Sequence, residues 1–198
     1  MNKCIVLIVE GATEVEFYKS LIAHIRSRRR GIEFHTHVEY INVGGIGGFK
    51  NIALRKFQKQ VKRKHEGDRF VIVLCGDKDV FEYAQRPPLD WDEMKGTFQE
   101  DSSVDKVISI LAVHSIEDWF LLDEAGLKRY LRLSQNVSVH GKSGYDKIQK
   151  FFRQAGKTYI KGIKCEGLVD KLDMDKITTA LKDELAPLIR ELEEGNDR

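Results

Sequence analysis

The chain has 198 residues, with 33 Lys and Arg against 31 Asp and Glu, for a formal net charge of +2. Hydrophobic residues make up 41% and charged residues 32%. That balance supplies a core and excludes both a disordered chain and a membrane-embedded one. Domains commonly hold about 100–200 residues, so a single domain is expected, large enough to need no disulfide staple. Three cysteines (Cys4, Cys75, Cys165) without CxxC spacing argue against a cysteine-zinc site and for a reducing compartment, hence a cytoplasmic protein.

Residues 4–9 (CIVLIV) form the unbroken apolar run expected of a strand buried on both faces, and no small-residue cleavage site follows to suggest a signal peptide. In the segment EGATEVEFYKSLIAHI, Thr13 is placed to cap a helix with Glu16 at the capping-box position. Phe17, Leu21, Ile22 and Ile25 then repeat at helical spacing. Residues 33–43 alternate like a strand with one half-solvated face, and GGIGG at 44–48 reads as a tight strand-to-helix turn. A helix from about Asn51 to His65 is expected to turn Leu54, Phe57 and Val61 inward. FVIVLC at 70–75 is a second buried strand and VISILAV at 107–113 a third. Between them, residues 82–103, with Pro87, Pro88 and Trp91, read as an excursion holding a short helix at best. A further helix starts at about Ile116, and the remainder is mostly helical, with loops at 136–142 and 162–166. Alternating strands and helices predict an α/β fold: a mainly parallel sheet, helices on both faces, and a helical C-terminal part.

Each buried strand ends in acid. Glu10 closes the first, with Glu14 one turn further; Asp77 and Asp79 close the second in GDKD; Glu117 and Asp118 follow the third in HSIED. In parallel sheets ligands bind beyond the carboxyl ends of the strands, so the three acidic ends are expected to meet. Crowded carboxylates repel unless protonated or neutralised by a cation. Hard oxygen donors without a matched Cys or His set favour Mg²⁺, or Mn²⁺, over Zn²⁺. Phosphoryl transfer or hydrolysis suits such a site. The competing reading is that individual acids only cap the helices that follow.

Other features carry less. His114 precedes Glu117 and could assist proton transfer, whereas His35 and His37 share a strand face with no further ligands near in sequence and read as solvated. Lys50, Arg55, Lys59 and Lys62 make one basic helix and Lys147, Lys150, Arg153 and Lys157 another; flanking an acidic site, they would suit a phosphate backbone. Trp91 and Trp119 read as packing anchors.

Three strings together carry a resemblance. EGATE at 10–14 resembles the E-G-x-T-E start of the OLD-type and RloB-like branch of TOPRIM proteins, and GDKD at 76–79 resembles their D-x-D pair. HSIEDWFLLD at 114–123 is similar to a segment of small TOPRIM-like proteins of the domain of unknown function 4276 type. The likeness runs from Lys3 to about Asp123, which makes residues 3–123 the core and 124–198 a helical extension. It implies a TOPRIM-like fold and a Mg²⁺-dependent nuclease acting on nucleic acid, DNA ahead of RNA, in defence against viral or other foreign DNA. A separate ATPase is an implied partner. By motif position, Glu10 is implied as metal ligand or general acid/base, Asp77 and Asp79 as ligands, and Glu117 at a second metal, with Glu14 beside them. TYIKG at 158–162 is similar to a late tyrosine-x-lysine of these proteins and nominates Lys161 for the scissile phosphate. The segment that follows D-x-D in topoisomerases and primases is absent, since FEYAQRPP stands there, so strand passage and primer synthesis are not expected. Two alternatives stand beside the nuclease: a non-catalytic module that binds nucleic acid or docks an ATPase, and a small-molecule phosphatase or phosphotransferase.

Overall fold

Side chains alternate faces along a strand, so an unbroken apolar run can serve a core on each side of a sheet. In the computed structural model, which describes residues 2–29, 34–78, 89–112, 115–161, 163, 165 and 167–194, the apolar runs do this. Strands β1 (Lys3–Val9), β2 (His37–Asn42), β3 (Arg69–Asp77) and β4 (Val104–Ala112) form a four-stranded, all-parallel sheet of order β2-β1-β3-β4. Ile5, Leu7, Val9, Val71, Val73 and Cys75 point to one core; Cys4, Val6, Ile8, Phe70, Ile72 and Leu74 point to the other.

The first core is covered by α1 (Ala12–Arg28) and by the helices that follow β4: α4 (Ile116–Leu121), α5 (Glu124–Leu131), α6 (Gly144–Gln154), α7 (Met174–Ala180) and α8 (Lys182–Glu193), with a 3₁₀ turn at Val169–Lys171. The second is covered by α2 (49–64) and by α3 (Trp91–Gln99). Helix α2 is one continuous run whose turns change width: π at Phe49–Ala53, α at Leu54–Lys56, π at Phe57–Val61, α at Lys62–Lys64. Wider π turns keep residues four apart on one line. Phe49, Ala53, Phe57 and Val61 are therefore the buried row, and Leu54, expected inward, lies only partly buried at its margin.

One local expectation is corrected and one is met. Helix α1 is capped by the extended residue Gly11 with no side-chain cap; Thr13 lies inside the helix, buried, and its hydroxyl donates to the Ile163 carbonyl at 2.7 Å. The excursion before β4 holds a nine-residue helix, because the Asp90 carboxylate accepts from the Asp92 and Glu93 amides and Met94 and Phe98 supply a buried face.

The C-terminal helices are integral to the first core. Leu185, Leu188 and Leu192 of α8 are fully buried in the same cluster as Ile5 and Leu7, each side chain being worth about 1.5–3 kcal/mol of burial. Glu191 on that helix is buried and grips both Lys3 (2.7 Å) and Lys106 (2.6 Å), tying α8 to β1 and β4. Cys4 and Cys75 are buried and free, as their apolar runs require. Trp119 packs against Phe17 and Tyr18, and Trp91 against Phe49 while donating to Ser109. No helix among the described residues is long and apolar enough to cross a membrane.

Candidate functional site

A chain that lays β2 on one side of β1 and then β3 and β4 on the other leaves a crevice at the carboxyl ends of β1 and β3. The last residue of β3 is Asp77, and Glu10 directly follows β1. Glu14 comes from the first turn of α1 and Glu117 from the first turn of α4, beyond β4. All four carboxylates converge there. Asp77 is 4% exposed, Glu14 7% and Glu117 0%. Glu10, Glu14 and Asp77 line a cavity of about 10 Å³ whose inner wall is Tyr18, Cys75, Gly76, Ala112 and Ile116. That is close to the least volume that holds one water-sized occupant, roughly 10–15 Å³.

The C-terminal part reaches back into this cluster through residues 157–161, which form no helix or strand. The buried Tyr159 donates its hydroxyl to Glu117 Oε1 at 2.9 Å, and the partly exposed Lys161 reaches Asp77 Oδ2 with its Nζ at 2.5 Å. Ile160, between them, is 52% exposed, and Ile163, whose carbonyl is held by Thr13, is 56% exposed. The other Asp77 oxygen accepts the Ile116 amide at 2.9 Å, so β3 also fixes the start of α4.

The electrostatics follow from that crowding. Glu14 is pushed up to about 7, first by burial, which outweighs its own backbone hydrogen bond, and then by Asp77, Glu10 and Glu117. Burial alone would lower Lys161, but Asp77, Glu117 and Glu10 raise it well above the usual lysine range. Tyr159 is held far above the ordinary phenol value, by burial first and by Glu117 second. Lys161 is thus a permanent cation among acids.

The donors suit a hard divalent cation. They are carboxylate oxygens, and among the described residues Glu14 Oε2 and Glu117 Oε2 are buried without a hydrogen-bond partner. Among the described residues, the trio of His, Cys, Asp or Glu side chains with ligand atoms all within 4.8 Å lies elsewhere, at His37, His65 and Asp68. In the acidic cluster, the Lys161 ammonium is the cation that Asp77 holds. Asp79 and His114 lie outside the described residues.

An open groove of about 440 Å³ runs from Glu10, Glu14 and Lys161 past Asn42, Gly44 and Gly45. The glycine cluster forms its wall as a tight strand-to-helix turn. Gly44 and Gly45 take φ of +75° and +110°, the Gly45 amide donates to the Glu10 carbonyl at 2.8 Å, and the Gly44 amide donates to Asn42 Oδ1 at 2.9 Å. A Cβ on Gly48 would stand 2.0 Å from the Val43 carbonyl oxygen, so the turn closes only on glycine.

The two basic helices lie apart. Helix α2 covers one face of the sheet and α6 the other. Lys50, Arg55, Lys59 and Arg153 are exposed and Lys147 half-buried. Lys62 is committed to both Asp101 oxygens at 2.8 Å, Lys150 to Asp146 and the His140 carbonyl, and Lys157 to the Tyr130 ring at 5.0 Å. Tyr159 and Thr13 were not foreseen as site residues; the two-residue step from Tyr159 to Lys161 was the available signal.

Fold and site together define an α/β protein with a carboxylate cluster at the switch point of a parallel sheet. The chain belongs to the family described as domain of unknown function (DUF4276), whose profile matches residues 9–192. The match takes in β4, α4 and the Tyr159–Lys161 segment as well as the two acidic strand ends. No curated protein and no solved structure matches the chain.

Proposed function

We propose that this protein is a TOPRIM-like, Mg²⁺-dependent nuclease that hydrolyses phosphodiester bonds in DNA or RNA. One observation carries the reading: Glu10, Glu14, Asp77 and Glu117, from four separate elements, converge with Lys161 at the switch-point crevice, beside an open groove. Glu10, Glu14, Asp77 and Glu117 are the residues that would hold the cation, which supplies charge neutralisation for the entering phosphate and for the departing oxygen. The attacking water would give its proton to solvent as its oxygen bonds to phosphorus and the bond from phosphorus to the leaving oxygen breaks. Lys161, released from Asp77, faces the phosphate oxygens as a fixed positive charge. The exposed Ile160 and Ile163 flank that point and offer apolar contact to bases or sugars.

The close Lys161–Asp77 pair favours a second reading, in which the lysine permanently occupies the acidic cluster and the protein is a non-catalytic module that binds nucleic acid or docks an ATPase. A gel assay separates the two. Purified protein is incubated with single- and double-stranded DNA and RNA in Mg²⁺, Mn²⁺ or EDTA, beside Asp77→Asn, which keeps an oxygen for the Ile116 amide. Metal-dependent cleavage that falls at least about a hundredfold in the variant is expected of the nuclease. Binding without turnover in any metal establishes the module.

A further inference from the structure

The amino ends of the strands carry a second cluster of ionisable side chains. His37 opens β2, and His65 and Asp68 lie in the turn between α2 and β3. They are brought together because β2 and β3 flank β1, with Cys4 paired to both His37 and Phe70. Cys4 and Glu10 are separated by six residues of strand, so this cluster stands roughly 20 Å from the acidic crevice. It is independent of the function proposed above.

Three features of its geometry belong together. One ligand atom from each of His37, His65 and Asp68 lies within 4.8 Å of the other two. Asp68 Oδ2 is 3.2 Å from His37 Nδ1 and 3.6 Å from His65 Nδ1. Ligands about 2.0–2.2 Å from a tetrahedral zinc ion are spaced about 3.3–3.5 Å apart, so both distances are close to edges of that tetrahedron. Second, His65 Nε2 is 2.8 Å from Glu39 Oε1, which Lys64 also holds at 2.6 Å. A histidine ligand commonly donates its distal N–H to a carboxylate, which fixes the tautomer and turns the other nitrogen's lone pair to the metal. With Nε2–H on Glu39, His65 Nδ1 presents a lone pair to a carboxylate oxygen 3.6 Å away, an arrangement that a cation between them satisfies. Third, the cluster is held on its inner side and open on its outer one. Asp68 Oδ1 accepts the Asn2 amide at 3.2 Å, His65 and Asp68 side chains are largely covered, and His37 is half exposed.

We propose that His37, His65 and Asp68 form a binding site for one zinc-class divalent cation, with water as the fourth ligand and Glu39 orienting His65. Two imidazoles and one carboxylate are the borderline donor set such ions select, unlike the all-oxygen set at the other end of the sheet. The ion joins the start of β2 to the entry to β3, and Asp68 also holds the Asn2 amide just before β1, so its role is to fasten the amino edge of the sheet.

The test uses untagged full-length protein, equilibrated with Zn²⁺ and desalted, with metal content measured per chain. Co²⁺ serves as the spectroscopic probe. One Zn²⁺ per chain is expected in the wild type and in Asp77→Asn, with none in His37→Ala or His65→Ala. The intense visible absorption of tetrahedral Co²⁺ should be lost in the same two variants. Glu39→Gln should weaken Zn²⁺ binding about ten- to a hundredfold. His37 is half exposed, so its variant tests the site even if His65→Ala fails to fold by circular dichroism. Absence of stoichiometric metal in the folded wild type, or full retention in His37→Ala, overturns the proposal. Loss of metal in Asp77→Asn but not in His37→Ala assigns the ion to the acidic crevice and overturns it equally.

Discussion

Replacing Glu14 by Gln should stabilise the protein in alkaline buffer and leave it nearly unchanged in acid. Glu14 is raised from 4.5 to about 7, by burial first and by Asp77, Glu10 and Glu117 after it. Between those two values the folded state binds more protons than the unfolded chain, so this group removes stability as pH rises through the window. The full shift corresponds to about 3 kcal/mol at 1.36 kcal/mol per unit, most of which falls between pH 5 and pH 8. The side chain is 7% exposed, so little of this is screened by solvent. Glutamine cannot ionise and escapes the penalty. Urea unfolding of both proteins in EDTA, at intervals from pH 5 to pH 8, should therefore show the variant gaining on the wild type by about 2–3 kcal/mol. In melting temperature that is roughly 4–12 °C for a chain of this size. A difference that stays flat with pH refutes the account, because it would mean that Glu14 ionises as easily folded as unfolded.

Two further outcomes are expected. Tyr159→Phe removes the donor to Glu117 Oε1 and leaves a fully buried carboxylate without a partner on either oxygen, so unfolding free energy should fall by about 1–3 kcal/mol in urea titrations in EDTA. Glu191 behaves oppositely to Glu14: burial would raise it, but hydrogen bonds and charge from Lys106 and Lys3 hold it below 4.5. The advantage of the wild type over Glu191→Gln should thus be complete above about pH 4.5 and disappear as pH falls through the depressed folded value, read by urea unfolding from pH 7 down to pH 3.

What the sequence makes legible here is what its local patterns encode. CIVLIV and FVIVLC are apolar at every position, so they fit strands buried on both faces, and an acid one or two residues after such a run lies at the carboxyl edge of the sheet. Glu10 and Asp77 follow from that alone. What escapes is whatever depends on partners distant in sequence. Thr13 has the look of a cap, yet its hydroxyl serves a carbonyl 150 residues away. His37 reads as solvated because its companions, His65 and Asp68, are brought to it only by the parallel pairing of β1 with β2 and β3. The four-residue row Phe49, Ala53, Phe57 and Val61 departs from the α-helical period because π turns widen the helix. Leu54, one position off that row, packs against the same core only at its margin. The lysines show the same dependence: Lys62 and Lys150 pair at the surface with Asp101 and Asp146, contacts that helical spacing announces only for the second.

The charge balance at the crevice constrains both readings of function. A phosphodiester is itself an anion, and it must approach Asp77, Glu117, Glu10 and Glu14 with Lys161 as the cation already bound to one of them. The near-neutral pKa of Glu14 removes part of the excess charge but cannot reverse its sign. A second cation is therefore required before a phosphate can lie against this cluster. Nucleic acid that binds equally well in EDTA cannot be held by phosphate contacts at the crevice; it sits on exposed basic residues elsewhere, such as Lys50, Arg55, Lys59 or Arg153, and an Asp77→Asn substitution would leave it there undisturbed. Binding that needs the divalent ion and is altered by Asp77→Asn must pass through the crevice, where Lys161, positioned between Tyr159 and the Thr13-anchored Ile163, already faces the groove.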